Sequence, residues 1–425
     1  MTIEVHAASV VMPIVTVPIR GGAVAIADGR ILAVGARAEI EDLYGAATYR
    51  HEGVLTPGLV NAHTHLQLTA YADMARLGVS FAEWIGLFFA RYRATTTDEW
   101  LASARDGVRQ VLASGTTAVA DVDTYGFASV AAQEAGLAGI RYQEVVGADD
   151  IRWPKLRAEI EARLAAPDAG LSPHSLYTNS SETLRTVGEL ARERGLRLHP
   201  HAAETLDECE FVLRGTGSFA VGAERTGLLL DLLGVGSGVS PVARLDALGL
   251  LGADVHIAHG VHVDAADRAL LRERGTAVAL CPRSNAILHA GEAPVAAYLR
   301  EGNVIAVGTD SSASNFDLDL LGDVQALRAL AIAQGYDEPD LDRRLMEAAT
   351  IGGAAALGML DIGRLAVGAR ADFAVFDVPV TEDPYASLVS AGYGHCVATV
   401  LAGTLVPPSV APSVVPTALA NREMS

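Results

Sequence analysis

Short apolar runs alternate with longer amphipathic stretches through the middle of the chain. The apolar runs cover residues 59–61, 117–122, 139–146, 170–173, 196–201, 255–258, 277–281 and 304–307. Runs of this length are typical of buried strands, and segments such as 153–165 and 181–194 have the periodicity of helices that pack against them. Eight strand-then-helix units predict an α/β fold, a closed (β/α)₈ TIM barrel rather than an open sheet.

The two ends of the chain have a different pattern, in which short β-branched runs are separated by Gly and Asp. These runs cover residues 10–17, 22–27 and 30–34, and then residues 372–377 and 396–406. They predict that residues 1–57 and 360–408 pair into a small β-sandwich domain beside a barrel of residues 58–359. Residues 409–425, rich in Pro, Ala, Ser and Val, are predicted to form a poorly ordered tail.

The composition favours a large folded core and excludes some partners. The chain has 425 residues, of which 50% are hydrophobic and 20% are charged, and its net charge is −19. Nucleic-acid polymers repel such an acidic protein, but a small nucleoside is not excluded. Three separated cysteines fit a reducing compartment, and no apolar run has the pattern of a membrane span or a leader peptide. We therefore predict a cytoplasmic protein without membrane partners, and leave a homodimer open.

Polar side chains suited to catalysis stand where the predicted strands end. They are His63 and His65 after strand one, His174 after strand four, His201 and Glu204 after strand five, His259 after strand six, and Asp310 after strand eight. The active site of a (β/α)₈ barrel lies at the C-terminal ends of its strands. The agreement of these separate placements predicts one site, and it carries more weight than any single motif.

The histidines have the spacing of metal ligands. His63 and His65 lie two residues apart on an extended chain, so both rings can face one cation. A lone His-x-His pair is a weak signal, but this pair follows an apolar strand. We prefer His201 over His199 as the third ligand, because Glu204 follows His201 near the end of its strand.

Asp310 can complete this donor set, although the N-cap of the following helix is a competing interpretation. Its place at the end of strand eight favours the ligand role. Three His and one Asp suit one divalent metal, with Zn²⁺ preferred and Fe²⁺ as the alternative, and such a metal lowers the pKa of bound water toward about 7. The single lysine, Lys155, precedes strand four, which does not favour a two-metal site bridged by a carboxylated lysine.

Two further residues can move protons beside the metal. Glu204 can carry a proton from water to a ring nitrogen, and the alternative is an exposed acid at the start of the next helix. His259 can polarise water or hold a leaving group, and the alternative is a structural histidine. His256 and His262 lie nearby in the sequence and are interpreted as bystanders.

Six segments together resemble the amidohydrolase superfamily, in particular its nucleoside-deaminase and chlorohydrolase branch. They occur in the family's order at residues 57–66, 172–174, 201–204, 258–260, 281–285 and 308–311, and residues 363–372 resemble the family's return to its β-domain. The resemblance implies that one metal is bound by His63, His65, His201 and Asp310.

The resemblance also implies catalytic roles. Glu204 would protonate a heterocycle, and His259 with Asp310 would activate the attacking water. His174 would contact the substrate, and Gln67, which follows the first histidine pair, is a further candidate for substrate binding. These roles imply an aminohydrolase that acts on a C–N bond of a cyclic amidine in an aminopurine nucleoside.

Two segments narrow the expected substrate. Residues 172–178 and 204–217 look most like those of 6-aminodeoxyfutalosine deaminases, which act in menaquinone biosynthesis. The Pro-x-Glu element usual in methylthioadenosine and S-adenosylhomocysteine deaminases is replaced by residues 88–93. Arg91, Arg93 or Arg141 are candidates to meet a substrate carboxylate.

The first expectation is therefore deamination of 6-aminodeoxyfutalosine to a futalosine-type product and ammonia. One alternative is a deaminase of methylthioadenosine, S-adenosylhomocysteine or adenosine. Another is a triazine-type chlorohydrolase, or a guanine or oxoguanine deaminase, because pocket loops choose the substrate of a shared metal centre. A non-catalytic barrel scaffold is the alternative from another class.

Overall fold

The computed structural model describes residues 2–79 and 81–407, and within them the chain forms fifteen strands. The strands are β1 (Glu4–Val11), β2 (Ile19–Ala27), β3 (Arg30–Ala36), β4 (Tyr49–Pro57), β5 (Leu59–Thr64), β6 (Thr116–Asp123), β7 (Ala138–Val145), β8 (Ala169–Pro173), β9 (His201–Ala202), β10 (His256–His259), β11 (Ala277–Leu280), β12 (Ile305–Val307), β13 (Phe373–Phe376), β14 (Cys396–Leu401) and β15 (Thr404–Leu405). The predicted tail, residues 409–425, lies outside the described residues.

Helices follow most of these strands. In the described residues they are α1 (Arg37–Tyr44), α2 (Phe81–Ala94), α3 (Thr97–Ala113), α4 (Phe127–Ala135), α5 (Trp153–Glu161), α6 (Ser181–Glu193), α7 (Leu206–Arg214), α8 (Ser218–Thr226), α9 (Pro241–Ala247), α10 (Ala265–Arg274), α11 (Pro282–Ile287), α12 (Val295–Glu301), α13 (Leu320–Ala333), α14 (Leu341–Glu347), α15 (Gly353–Leu357) and α16 (Pro384–Ala391). Short 3₁₀ helices cover Leu66–Tyr71 and Met74–Arg76, and a π-helical turn covers Ala348–Gly352. None of the described helices has the length and apolar character needed to cross a membrane.

Strands β5 to β12 are parallel and correspond to the eight strands predicted from the apolar runs. β5 to β8 pair in chain order in one four-stranded sheet, and β9 to β12 pair in another. Backbone hydrogen bonds join the two sheets on both sides, from Leu171 N to Arg197 O at 3.0 Å and from Asp310 N to His63 O at 2.9 Å. The strands therefore close into a barrel.

The barrel strands explain the apolar runs in the sequence. Every residue of β5, β6, β7 and β8 is buried. A parallel strand between a barrel interior and a layer of helices is covered on both faces, so it does not alternate between apolar and polar residues. Polar residues are tolerated where these strands end, and the candidate site residues lie there.

The two chain ends pair into one seven-stranded sheet with the order β15-β14-β13-β4-β1-β2-β3. Strand β4 is parallel to β1 and antiparallel to β13, so it joins the N-terminal strands to the C-terminal ones. The predicted pairing of the two ends is present. Within the described residues, hydrogen bonds join these strands into one mixed sheet, whereas the predicted β-sandwich would have two sheets.

The strand predicted over residues 10–17 is wrong in its second half. β1 ends at Val11, and the chain leaves the sheet through Pro13, which has no N–H to donate to a neighbouring strand. Ile14 adopts a positive φ of 71°, and Val17 is 79% exposed. The β-branched residues of this segment therefore resemble a strand in the sequence while they form a turn.

A single glycine links the seven-stranded sheet to the barrel. β4 ends at Pro57 and β5 begins at Leu59, with Gly58 between them. A Cβ atom at Gly58 would lie 2.0 Å from Thr117 Oγ1, far inside contact distance. The strand that carries His63 is thus a direct continuation of a strand of the other sheet.

Candidate metal centre

The predicted site residues meet at one end of the barrel. His63 lies in β5, His201 opens β9 and His259 closes β10, while Asp310 follows β12. An isolated parallel bridge between Thr64 and Asp310 places the end of the first barrel strand beside the end of the last. Residues far apart in the sequence are brought together here because all of them stand at C-terminal ends of parallel strands.

Four side chains, which we call the metal group, are close enough to share one cation. They are the predicted ligands His63, His65, His201 and Asp310. The ligand atoms of His63, His65 and His201 lie within 4.8 Å of one another, and those of His63, His259 and Asp310 form a second such group. Asp310 Oδ1 lies 3.6 Å from Nε2 of both His63 and His65. This geometry brings together all four predicted ligands and adds His259 at the edge of the group.

The hydrogen bonds of His63 fit a metal ligand. His199 Nδ1 lies 2.9 Å from the carbonyl oxygen of His256, so this nitrogen carries the proton and donates. Nε2 of His199 is then an acceptor, and His63 Nδ1 donates to it at 2.7 Å. His63 Nε2 is left with its lone pair, is buried, and has no hydrogen-bond partner among the described residues. A lone pair held in this way suits a metal, so the residues present fit the predicted cofactor.

The rings of the other two candidate histidine ligands are held neutral. Burial lowers the pKa of His65 to about 3, and burial, followed by the neighbouring histidines, holds the pKa of His201 well below its usual range. His201 Nδ1 donates to the carbonyl oxygen of His174 at 3.1 Å, which leaves Nε2 for a metal. Neutral imidazoles with free Nε2 atoms are the form of histidine that binds divalent metals.

Asp310 is fixed as an ionised acceptor by its surroundings. Oδ2 accepts hydrogen bonds from Ser284 Oγ at 2.7 Å and Ser314 Oγ at 3.1 Å, and Oδ1 accepts from the Ser311 amide at 2.7 Å. Such donors favour the charged carboxylate. Asp310 also has a φ of 58°, an unusual value for a residue with a side chain, which is typical of functional sites.

Glu204 is a buried carboxyl beside the metal group, not an exposed helix-starting acid. It is 4% exposed, and its Oε1 lies 3.7 Å from His259 Nε2. Burial raises its pKa, an effect that the nearby His259 offsets only in part. The Glu208 carboxylate accepts hydrogen bonds from the backbone amides of Ala203 at 3.0 Å and Glu204 at 2.8 Å, and so fixes the start of this loop.

His259 is oriented by a neighbouring amide. Its Nδ1 lies 3.0 Å from Asn285 Oδ1 and donates to it, because an amide oxygen only accepts. Nε2 is thereby directed toward Glu204 and the metal group. The φ of His259 is 73°, a second strained backbone position at this end of the barrel.

A cavity opens above the metal group. The remaining predicted substrate residues, His174 and Gln67, both line it, as do Glu204, His259 and Asp310. Phe81, Trp84, Phe88 and Tyr92 from α2 contribute an aromatic wall, and Tyr177 faces the cavity from the segment after β8. A flat heterocycle can pack against such a wall while its edge reaches the metal group.

The family model of the Amidohydrolase family matches residues 54–406, most of the chain. The chain belongs to the amidohydrolase family. This match confirms the resemblance found in the sequence and the prediction of an enzyme of this type. The (β/α)₈ barrel with a sheet built from both chain ends is likewise confirmed.

This amidohydrolase has named relatives and solved structural neighbours. It is 35% identical over 403 residues to a 5-methylthioadenosine/S-adenosylhomocysteine deaminase of Natronomonas pharaonis. The alignment spans 89% of this chain and 84% of that protein. An adenosine deaminase from Xanthomonas campestris with bound zinc has a TM-score of 0.78 and 26% identity, over 95% of this chain and 92% of that one. Helicobacter pylori aminofutalosine deaminase has a TM-score of 0.81 and 20% identity, over 95% and 100% of the chains, a likeness of fold.

The arginines proposed for a substrate carboxylate do not line the described cavity. Arg141 is buried and donates to the carbonyl oxygen of Leu137 at 2.9 Å, near the start of β7 and away from the site. Arg91 forms an ion pair with Asp73 at 2.5 Å and lies over the Tyr71 ring. The described cavity is instead lined by aromatic side chains, carboxyl groups and histidines.

Several residues that orient the site have no recognisable role in the sequence. Asn285 and Ser284 lie in the segment 281–285, which resembled a family motif but had no role attached. His199, which was considered and not preferred as the third ligand, instead accepts a hydrogen bond from His63. Lys155 lies on the surface in α5, with 87% of its side chain exposed.

Replacing His199 with Ala should weaken metal binding by about 10- to 100-fold, the usual effect of losing a partner that orients a ligand histidine. Competition between the protein and a chelator measures this affinity. A His199→Gln variant retains a polar amide near His63 and should keep most of the affinity. Equal metal affinity in the Ala variant and the native protein would show that His63 needs no partner.

Proposed function

We propose that this amidohydrolase is a metal-dependent hydrolytic deaminase of 6-aminopurine nucleosides. The observation that carries the proposal is the placement of Glu204, buried at the edge of a metal-binding donor set and facing the same cavity. A buried carboxyl beside a group of metal ligands can accept a proton and pass it on. Hydrolysis of the exocyclic C6–N bond of an aminopurine requires that movement.

Zn²⁺ is the proposed metal, held by His63, His65, His201 and Asp310. When bound, it would polarise a water molecule and lower the pKa of that water. The three nitrogen donors and one carboxylate oxygen suit this metal. The zinc reported for the Xanthomonas relative supports the choice.

The chain's own residues then move the protons. His259 and Asp310 lie where they can accept a hydrogen bond or proton from the attacking water. Glu204 can deliver a proton to N1 of the purine as the oxygen adds to C6. A second proton, passed to the amino group, allows ammonia to leave and gives the 6-oxo purine, so water is consumed and ammonia is released.

The proposed substrates are methylthioadenosine, S-adenosylhomocysteine and related adenosine nucleosides. The Natronomonas relative, a 5-methylthioadenosine/S-adenosylhomocysteine deaminase, supports this class, which was the second expectation from the sequence. 6-Aminodeoxyfutalosine, the first expectation, has only a likeness of fold in its favour. The aromatic cavity wall suits an adenine ring in either case.

Ammonia release from a substrate panel tests the proposal. Zinc-loaded protein would be assayed with methylthioadenosine, S-adenosylhomocysteine, adenosine, 6-aminodeoxyfutalosine, guanine and a chlorotriazine. A kcat/KM above about 10⁴ M⁻¹s⁻¹ on one of the adenosine nucleosides is the expected result.

The other results separate the alternatives. Activity on 6-aminodeoxyfutalosine alone would keep the chemistry and restore the first substrate. Chloride release from the triazine, without ammonia from any nucleoside, would overturn the deaminase proposal. A folded protein that binds no metal would favour a scaffold.

A further inference from the structure

Glu144 is a buried carboxyl in the cavity that the proposed proton transfers do not use. It lies near the end of β7, is 8% exposed, and lines the cavity with His174. His174 Nε2 lies 4.0 Å from Glu144 Oε1, beyond hydrogen-bond distance. No arginine or lysine in the described residues forms an ion pair with this carboxyl.

A directed chain of hydrogen bonds holds the Glu144 side chain. Gln67 Nε2 donates to Thr124 Oγ1 at 3.2 Å, and Thr124 Oγ1 donates to Glu144 Oε2 at 2.7 Å. Glu144 Oε1 makes no hydrogen bond with the described residues, although it belongs to a cavity-lining side chain. The second oxygen of Glu144 is therefore available to accept a hydrogen bond from a molecule in the cavity.

A second unpaired polar group stands close to this carboxyl. The Tyr92 hydroxyl is buried and has no hydrogen-bond partner within the described residues. Burial and the nearby Glu144 carboxyl together hold the pKa of Tyr92 far above its usual value, so the phenol is protonated. Burying polar groups without partners is unfavourable, so a ligand that pairs with both would be bound with added affinity.

Glu144 also lies at a suitable place along the cavity. The rings of His201 and His174 are 4.6 Å apart. His174 follows β8, which lies between β7, the strand of Glu144, and the segment that leads into His201. A purine with C6 at the metal group would extend past His174 and place its sugar near Glu144. The sugar of a ribonucleoside presents two adjacent hydroxyl donors.

We propose that Glu144, held by Thr124, recognises the 2′,3′-diol of the nucleoside ribose and so determines substrate specificity. This inference rests on the proposed function. Burial raises the pKa of Glu144 to about 7, and two hydroxyl donors would stabilise the carboxylate that this burial disfavours. An ammonium group on a substrate side chain is the competing ligand.

The test pairs a variant with a modified ligand. Native protein and Glu144→Gln would be compared for kcat/KM on adenosine, 2′,3′-dideoxyadenosine, methylthioadenosine and S-adenosylhomocysteine. The Kd of inosine and 2′,3′-dideoxyinosine would be measured for both proteins. Glu193→Gln, on the exposed end of α6, is the matched control, and the metal content of each variant verifies the centre. A change of tenfold corresponds to about 1.4 kcal/mol, the scale of one or two hydrogen bonds.

We expect Glu144→Gln to lower kcat/KM and affinity at least about tenfold for the ribose compounds and less than about threefold for the dideoxy compounds. Equal losses on both would overturn the inference. A loss of activity confined to S-adenosylhomocysteine, with methylthioadenosine unaffected, would show that Glu144 recognises an ammonium group and not the diol.

The binding measurement separates this inference from the proposed function. If no nucleoside yields ammonia but inosine binds in a Glu144-dependent way, the diol site holds and the deaminase proposal fails. If ammonia is released and the variant does not distinguish ribose from dideoxyribose, the deaminase stands and the diol site fails. Absence of both activity and binding overturns both.

Discussion

Replacing Glu204 with Gln is expected to lower kcat by about 10²- to 10⁴-fold, the usual contribution of a positioned acid or base. The amide has nearly the same shape, so the cavity and the loop held by Glu208 should be retained. Glu204 is not among the four proposed ligands, and the metal content should stay at the native value. The measurement is kcat on the best substrate of the panel, together with metal analysis.

The control for this variant is Glu193→Gln, which makes the same chemical change at an exposed position in α6. It should leave kcat unchanged. Near-native turnover in Glu204→Gln would show that the proton travels by another route, with His259 as the next candidate. Loss of metal from Glu204→Gln would instead place this carboxyl among the ligands.

Replacing His201 with Ala is expected to remove the metal and, with it, the activity. The ligand atoms of His63, His65 and His201 lie within one small buried group, and a metal deprived of one of them is left with an incomplete site. The loss of affinity should exceed the roughly 10- to 100-fold typical of outer-shell partners. Metal analysis after dialysis against a weak chelator measures the effect.

An exposed histidine provides the control for this experiment. His395 lies on the surface after α16, and His395→Ala should keep both metal and activity. Full metal content in His201→Ala would show that this ring is not a ligand. Its neighbour His174, whose carbonyl oxygen accepts from His201, would then need to be tested as the third donor.

The barrel was predictable because its signal is local. Each buried parallel strand leaves a continuous apolar run, and a chemically useful residue stands where the run ends, as with His63, His259 and Asp310. Knowing that such ends converge in a barrel is enough to assemble the donor set without any measured distance. The prediction of a strand over residues 10–17 was wrong because the local pattern was misleading there. The β-branched residues resemble a strand, but Pro13 ends the pairing.

The orienting contacts could not be predicted because they depend on pairs that are distant in the sequence. Nothing near His199 indicates that its ring meets His63, and nothing near Asn285 indicates that it meets His259. Glu144 was inside a predicted strand and looked like part of an apolar run. Only the three-dimensional packing reveals that its side chain reaches the cavity beside His174.

The direct passage from β4 through Gly58 into β5 has a consequence for the order of folding. β4 pairs with β13, which is synthesised only after the whole barrel, so the strand that leads into the His63 strand lacks one of its neighbours until late in translation. Contacts between such distant segments close slowly because a long loop must be ordered first. We therefore expect the metal centre to mature after release from the ribosome, with the acidic nascent barrel exposed to chaperones in the interval.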